Sequence, residues 1–135
     1  MLSPKEKEFF ASATWGAASL SSCGRKHGAV LVGREYGTLS FGFNRTLTID
    51  LESSAIQELL LSGVPKGSTI FSTKFPSHDD MKLLLAANLL KIYFFGEVND
   101  MDSVKLVNDW NLVVNSEDVL EMIQLEMGAE AQITP

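Results

Sequence analysis

At 135 residues, 45% of them hydrophobic and 21% charged, the chain is long enough to bury a sizeable core and too apolar to be a disordered segment. Its 17 acidic residues outnumber the 11 basic ones, for a net charge of −6 with no basic cluster, which argues against nucleic-acid binding through phosphates and against docking to an anionic membrane. Cys23 is the single cysteine, so neither an internal disulfide nor a thiolate cage for zinc can form. The charged start Met1-Leu2-Ser3-Pro4-Lys5-Glu6-Lys7-Glu8 does not fit a signal peptide, and no apolar run reaches membrane-spanning length. A cytoplasmic protein with a single domain over residues 1–135 is expected.

Ser3, Pro4 and Glu6 form an N-cap, a first-turn proline and a capping-box acid, so a helix starts there. Phe9, Phe10, Ala13, Ala17 and Leu20 recur at helical spacing and predict its buried face, to about Ser21. Gly28 to Val32 is an apolar run and Thr38 to Phe43 alternates with a period of two; joined through Arg34-Glu35-Tyr36-Gly37 they predict a β-hairpin. Asp50 is placed to cap a second helix bearing Ala55, Ile56, Leu59 and Leu60, and a strand follows from Ser68 to Thr73. The helix after Pro76 is apolar around most of its circumference, which predicts packing between layers. Strand 92–95, a helix from Asp100 to about Trp110, strand 112–114 and an acidic amphipathic helix opened by Ser116 complete the order. In that last segment Val119, Leu120, Met122, Ile123, Leu125 and Met127 serve either core packing or a subunit contact. Right-handed crossovers make the late strands parallel.

The most informative segment is Pro76-Ser77-His78-Asp79-Asp80, a helix start directly after a strand. Ser77 with Asp80 three positions on reads as a capping box, and Asp79 adds favourable charge at the helix N-terminus. Asp50 reads as an N-cap, Glu52 as a first-turn acid, Asn44 as a turn residue and His27 as structural or surface. Metal binding is the competing reading: Asp50, Glu52, His78 and Asp80 would supply oxygen and imidazole donors.

The element order and the segments Ser22 to Val32 and Ser40 to Asn44 resemble the cytidine and deoxycytidylate deaminase superfamily, closest to its deoxycytidylate and tRNA-adenosine branch. The resemblance implies a three-layer α/β/α fold around a five-stranded mixed sheet whose last strands are parallel. That family carries H-A-E at the start of its second helix and P-C-x-x-C at the start of its third, where one histidine and two cysteines hold zinc. Position by position, the histidine maps to Asp50, the proton-shuttling glutamate to Glu52, the cysteines to Ser77 and Asp80, and the ribose-binding asparagine to Asn44. The ligand positions Asp50, Ser77 and Asp80 are therefore degenerate and no metal or other cofactor is expected, while Asn44 and Glu52 are retained.

Zinc lowers the pKa of bound water to roughly 7, against about 15.7 in bulk. Glu52 without zinc would face water it cannot deprotonate at a useful rate. The leading expectation is a pseudoenzyme that binds a nucleotide-like ligand through Asn44 and Glu52, or a protein partner, as a homo-oligomer or as a non-catalytic subunit. Two alternatives stand beside it: an active pyrimidine-nucleotide deaminase with a rebuilt metal site at Asp50, Glu52 and Asp80, and a purely structural or interaction protein.

Overall fold

The computed structural model describes residues 2–33, 37–49, 51–114 and 118–125. Helix α1, Pro4–Ala18, begins with the expected reciprocal cap: Ser3 Oγ accepts from the Glu6 amide at 3.2 Å, and Glu6 Oε1 accepts from the Ser3 amide at 2.9 Å. Its buried face differs from the expected one. Phe10, Ala11, Thr14, Ala17 and Ala18 face inward, while Phe9 is 62% and Leu20 57% exposed. The cause is close approach: a Cβ on Gly28 would lie 2.5 Å from the Thr14 carbonyl, so α1 rests its small residues on the sheet and leaves its bulky neighbours outside.

Strands β1, Gly28–Val32, and β2, Thr38–Phe43, pair antiparallel as expected. After them, β3, Thr46–Thr48, and β4, Leu51–Glu52, form a separate two-stranded ribbon that the sequence did not disclose. Helix α2 therefore starts later than expected, spanning Ala55–Leu60, and its N-cap is Ser54 rather than Asp50. Ser54 and Gln57 supply a full capping box there, whereas Asp50 lies outside the described residues.

Strand β5, Thr69–Ser72, leads into α3, His78–Ala86; β6, Lys91–Phe95, leads into α4, Met101–Val113; β7, Glu121–Leu125, closes the order. The main sheet runs β2-β1-β5-β6-β7, antiparallel at its first two pairings and parallel at β5/β6 and β6/β7. The expected mixed α/β sheet with parallel late strands is thus observed, with two elements reassigned. Residues 112 and 113 continue α4, with Leu112 and Val113 about four-fifths exposed, and the fifth strand of the sheet is β7, where an amphipathic helix was expected. Asn111 fixes this outcome by clamping Leu120 through paired bonds to its carbonyl and amide, both 3.0 Å. Met122 then packs on one side of the sheet, and Ile123 and Leu125 pack on the other.

This alternation holds across the sheet. Ala29, Leu31, Ile70, Ile92 and Phe94 face the core shared with α2, α3 and α4, while Val30, Val32, Phe71 and Tyr93 face Phe10 of α1. Phe71 and Tyr93 are cross-strand partners whose rings stack with centroids 4.5 Å apart. Helix α3 buries Met81, Leu84 and Leu85, but Lys82 is exposed and Leu83 is 41% exposed, so it has a solvent side that the sequence reading did not expect. Among the described residues, no helix is long and apolar enough to cross a membrane.

Candidate functional site

A cleft of about 390 Å³ opens where β2 and β5 end and where α2 and α3 begin. Such a place, beyond the carboxyl ends of strands, is where open α/β sheets expose helix N-termini and unpaired loop backbone. Asn44, Glu52, Ser77 and Asp80 all line it, together with Arg25, His27 and Lys74. A smaller depression of about 170 Å³, bordered by Leu2, Gly33 and Lys91, has no comparable gathering of titratable groups.

Each side chain is placed by local structure. Asn44 follows β2, and its carboxamide spans the loop before β1: Oδ1 accepts from the His27 amide at 2.9 Å, and Nδ2 donates to the Arg25 carbonyl at 2.7 Å. One lone pair and one N–H of the amide remain available. His27, at the mouth of β1, has Nδ1 3.4 Å from Thr73 Oγ1. Burial, with Lys74 and Arg25 nearby, pushes its pKa down, against an opposing pull from Glu52. Glu52 is exposed and sits in the ribbon strand β4, upstream of α2 rather than in its first turn.

Helix α3 is held at its start by α4. Ser103 Oγ donates to the Pro76 carbonyl at 3.0 Å, and the His78 amide donates to Asp100 Oδ2 at 2.9 Å. The His78 side chain borders a separate shallow depression with Asp102, Lys105 and Asp109, and it does not line the cleft.

Ser77 is the N-cap of α3, with Oγ accepting from the Asp80 amide at 3.2 Å. The other half of the expected capping box does not form. Asp80 instead reaches across to α2, where its Oδ1 accepts from Ser54 Oγ at 2.9 Å. Ser54 Oγ at the same time accepts from the Gln57 amide at 2.9 Å, so the two helix starts are joined through one serine and one carboxyl group. Asp80 is only 2% exposed, and burial pushes its pKa up against the Ser54 hydroxyl, Lys74 and the Ser77 hydroxyl, which lower it.

Two of these features lay beyond sequence reasoning. The Ser54 to Asp80 bond joins residues 26 apart, and His27 and Lys74 meet only through the pairing of β1 with β5. The visible signal was the serine pair Ser53-Ser54 ahead of Gln57, a cap pattern overshadowed by Asp50.

A tetrahedral zinc centre takes thiolate, imidazole or carboxylate donors. Of the described ligand positions, Ser77 offers an alcohol and Asp80 a carboxyl group, one oxygen of which accepts from Ser54. Cys23 is buried elsewhere, with Sγ 3.6 Å from Thr46 Oγ1. Among the described residues no group of three His, Cys, Asp or Glu side chains could hold a metal ion. The described residues therefore do not fit the zinc that the resemblance implies.

Two expectations follow for stability. Ser77→Ala should cost about 0.5–2 kcal/mol in chemical denaturation, whereas Ser77→Asp, which keeps an acceptor at the cap, should be nearly neutral. For Asp80 the folded pKa lies above the unfolded one, so the folded state binds the proton more tightly and its stabilising effect is full only below the ordinary carboxylate value. That contribution is lost as pH rises through the raised pKa. Denaturation at pH values on either side should show the advantage of wild type over Asp80→Asn shrinking as pH increases.

With this geometry in view, the chain has the fold of the cytidine and deoxycytidylate deaminase superfamily. It is similar to a dCMP deaminase from the cyanophage S-TIM5: the apo structure has a TM-score of 0.74 at 21% identity, covering 92% of this chain and 100% of that one. The same enzyme in complex with dCMP and dUMP gives 0.76 at 20%, covering 93% and 100%. The diaminohydroxyphosphoribosylaminopyrimidine deaminase/reductase of Thermotoga maritima gives 0.66 at 16% identity, covering 96% of this chain and 38% of the larger enzyme. No family model matches the chain, and no curated protein matches it by sequence.

Proposed function

We propose that this chain is a single-domain, deaminase-fold pseudoenzyme that binds a nucleotide-like ligand in its cleft without converting it. The observation that carries the reading is the convergence of Asn44, Glu52, Ser77 and Asp80 on one cleft, with the Asp80 carboxyl tied to the N-cap of α2. The positions that correspond to the family's binding and proton-transfer groups keep their chemistry, while of those that correspond to its metal ligands Ser77 serves as a helix cap and Asp80 as a helix-to-helix bond. Glu52 remains as a relict shuttle and polar contact. Arg25 and Lys74 line the cleft beside the acidic Glu52, Asp79 and Asp80, and these two cations are the groups suited to a phosphate. The cyanophage enzyme is described in complex with dCMP and dUMP, so pyrimidine nucleoside monophosphates are the first ligands to test.

A rebuilt metal site at Asp50, Glu52 and Asp80 is the second reading, and it would draw on the Asp80 oxygen that Ser54 does not engage. The protein is proposed to be cytoplasmic, in keeping with its single buried thiol. Association with another chain, identical or an active relative, extends the proposal. Such a contact cannot use an amphipathic helix over residues 121–125, because these form β7.

Calorimetric titration with dCMP tests the binding. Saturable one-to-one binding is expected, weakened at least about tenfold by Asn44→Ala, which removes both a ligand contact and the clamp on residues 25–27. Absence of binding by dCMP and dUMP alike would leave only the interaction-protein reading.

A further inference from the structure

The Asp80 carboxyl has acceptor capacity that the protein does not use. Among the described residues it receives one hydrogen bond within ordinary geometry, from Ser54 Oγ at 2.9 Å, with the Ser77 hydroxyl close by, and no ion pair. A carboxylate offers about four lone-pair sites, and burial without donors for them is costly. Asp80 is 2% exposed, and what it does face is the cleft. A side chain so buried, held from behind by the N-caps of two helices and open on one side to a cavity, is suited to accept from a donor brought by the ligand.

We propose that Asp80 reads the base of the bound nucleotide, accepting a hydrogen bond from an exocyclic amino group and so selecting a cytosine-type edge over a uracil-type one. The inference rests on the nucleotide-binding reading above and adds the specificity of that site. The two bases differ where it matters: cytosine presents an N–H donor at C4, and uracil presents a carbonyl oxygen at the same place. Carboxylate acceptors pair with the cytosine amino group in base recognition generally. Uracil would set oxygen against oxygen with no proton between them, leaving two buried acceptors unsatisfied. Ser54 contributes by fixing the carboxyl orientation through Oδ1, which makes it a positioning residue. No bond is formed or broken in the ligand, so the role is recognition alone.

Parallel calorimetric titrations with dCMP and dUMP test this on the intact chain. Wild type should bind dCMP at least about tenfold more tightly than dUMP. Asp80→Asn, which keeps the shape and exchanges an acceptor for a donor, should level or reverse that ratio. Ser54→Ala should lower the affinity for dCMP while retaining a preference for it. Equal binding of the two nucleotides by wild type overturns the inference and leaves nucleotide binding standing; so does a ratio unchanged in folded Asp80→Asn. If neither nucleotide binds, the binding reading falls and this one falls with it. The wild-type ratio decides the matter even if Asp80→Asn does not fold.

Discussion

Gly42→Ala should lower stability by about 3 kcal/mol or more, an unusually large effect for the addition of one methyl group. The added Cβ would lie 2.6 Å from the Ala55 carbonyl oxygen, 2.6 Å from the Leu59 nitrogen and 3.0 Å from the Leu59 Cα. All three are backbone atoms of α2, so no side chain can rotate away and the helix itself has to lift from β2. Ala55, Ile56 and Leu59, each nearly fully buried beneath that helix, would lose packing with it. The displacement would also pull Ser54 from Asp80, so the fraction that still folds should bind ligand more weakly. Gly16→Ala is the matched control. Nothing lies within 4 Å of its Cβ position, and it sits inside α1, so it should stabilise by about 0.5–1 kcal/mol. Urea denaturation of the two variants separates a steric cause from a general sensitivity to substitution at glycine.

Gly42 also shows which parts of the fold were legible in the sequence. Local signals carried well: Ser3 with Glu6 marked the start of α1, the alternation over residues 38–43 marked β2, and Ser77 marked the start of α3. The parallel order of the late strands followed from the handedness of crossovers between strands separated by helices. The misreadings arose where two local signals competed and tertiary contacts chose between them. Asp50, Ser53 and Ser54 are all good caps, and the ribbon formed by residues 46–48 and 51–52 left the role to Ser54. The apolar residues from Leu120 to Leu125 recur at helical spacing, but the clamp from Asn111 together with pairing to β6 favoured the strand. Phe9 and Leu20 had the right spacing for a buried face, but α1 can approach β1 closely only with small residues at the contact.

The candidate site divides along the same line. Asn44, Glu52, Ser77 and Asp80 were readable as a set because a resemblance aligned them, and all four line the cleft. The use of Asp80 to join two helices was not readable, since Ser77 and Asp80 already made a plausible capping pair within one turn. Nor were the neighbours His27 and Lys74, whose approach depends on β1 lying between β2 and β5.

The second large effect expected is the absence of deamination, and it follows from chemistry rather than packing. Attack on the amidine-like carbon of a cytosine needs a nucleophilic hydroxide, which zinc supplies by bringing the pKa of its bound water to about 7. On the proposed reading Ser77 serves as a helix cap and Asp80 bonds Ser54, so Glu52 has no metal-activated water to work with. The most direct measurement combines elemental analysis with a turnover assay on one sample purified without chelator and incubated with dCMP. The account expects no stoichiometric zinc and no dUMP or ammonia above the uncatalysed background, from protein that still binds the nucleotide. One tightly held metal per chain, with dUMP formation abolished by Glu52→Gln, would contradict it and establish an active deaminase with a rebuilt metal site.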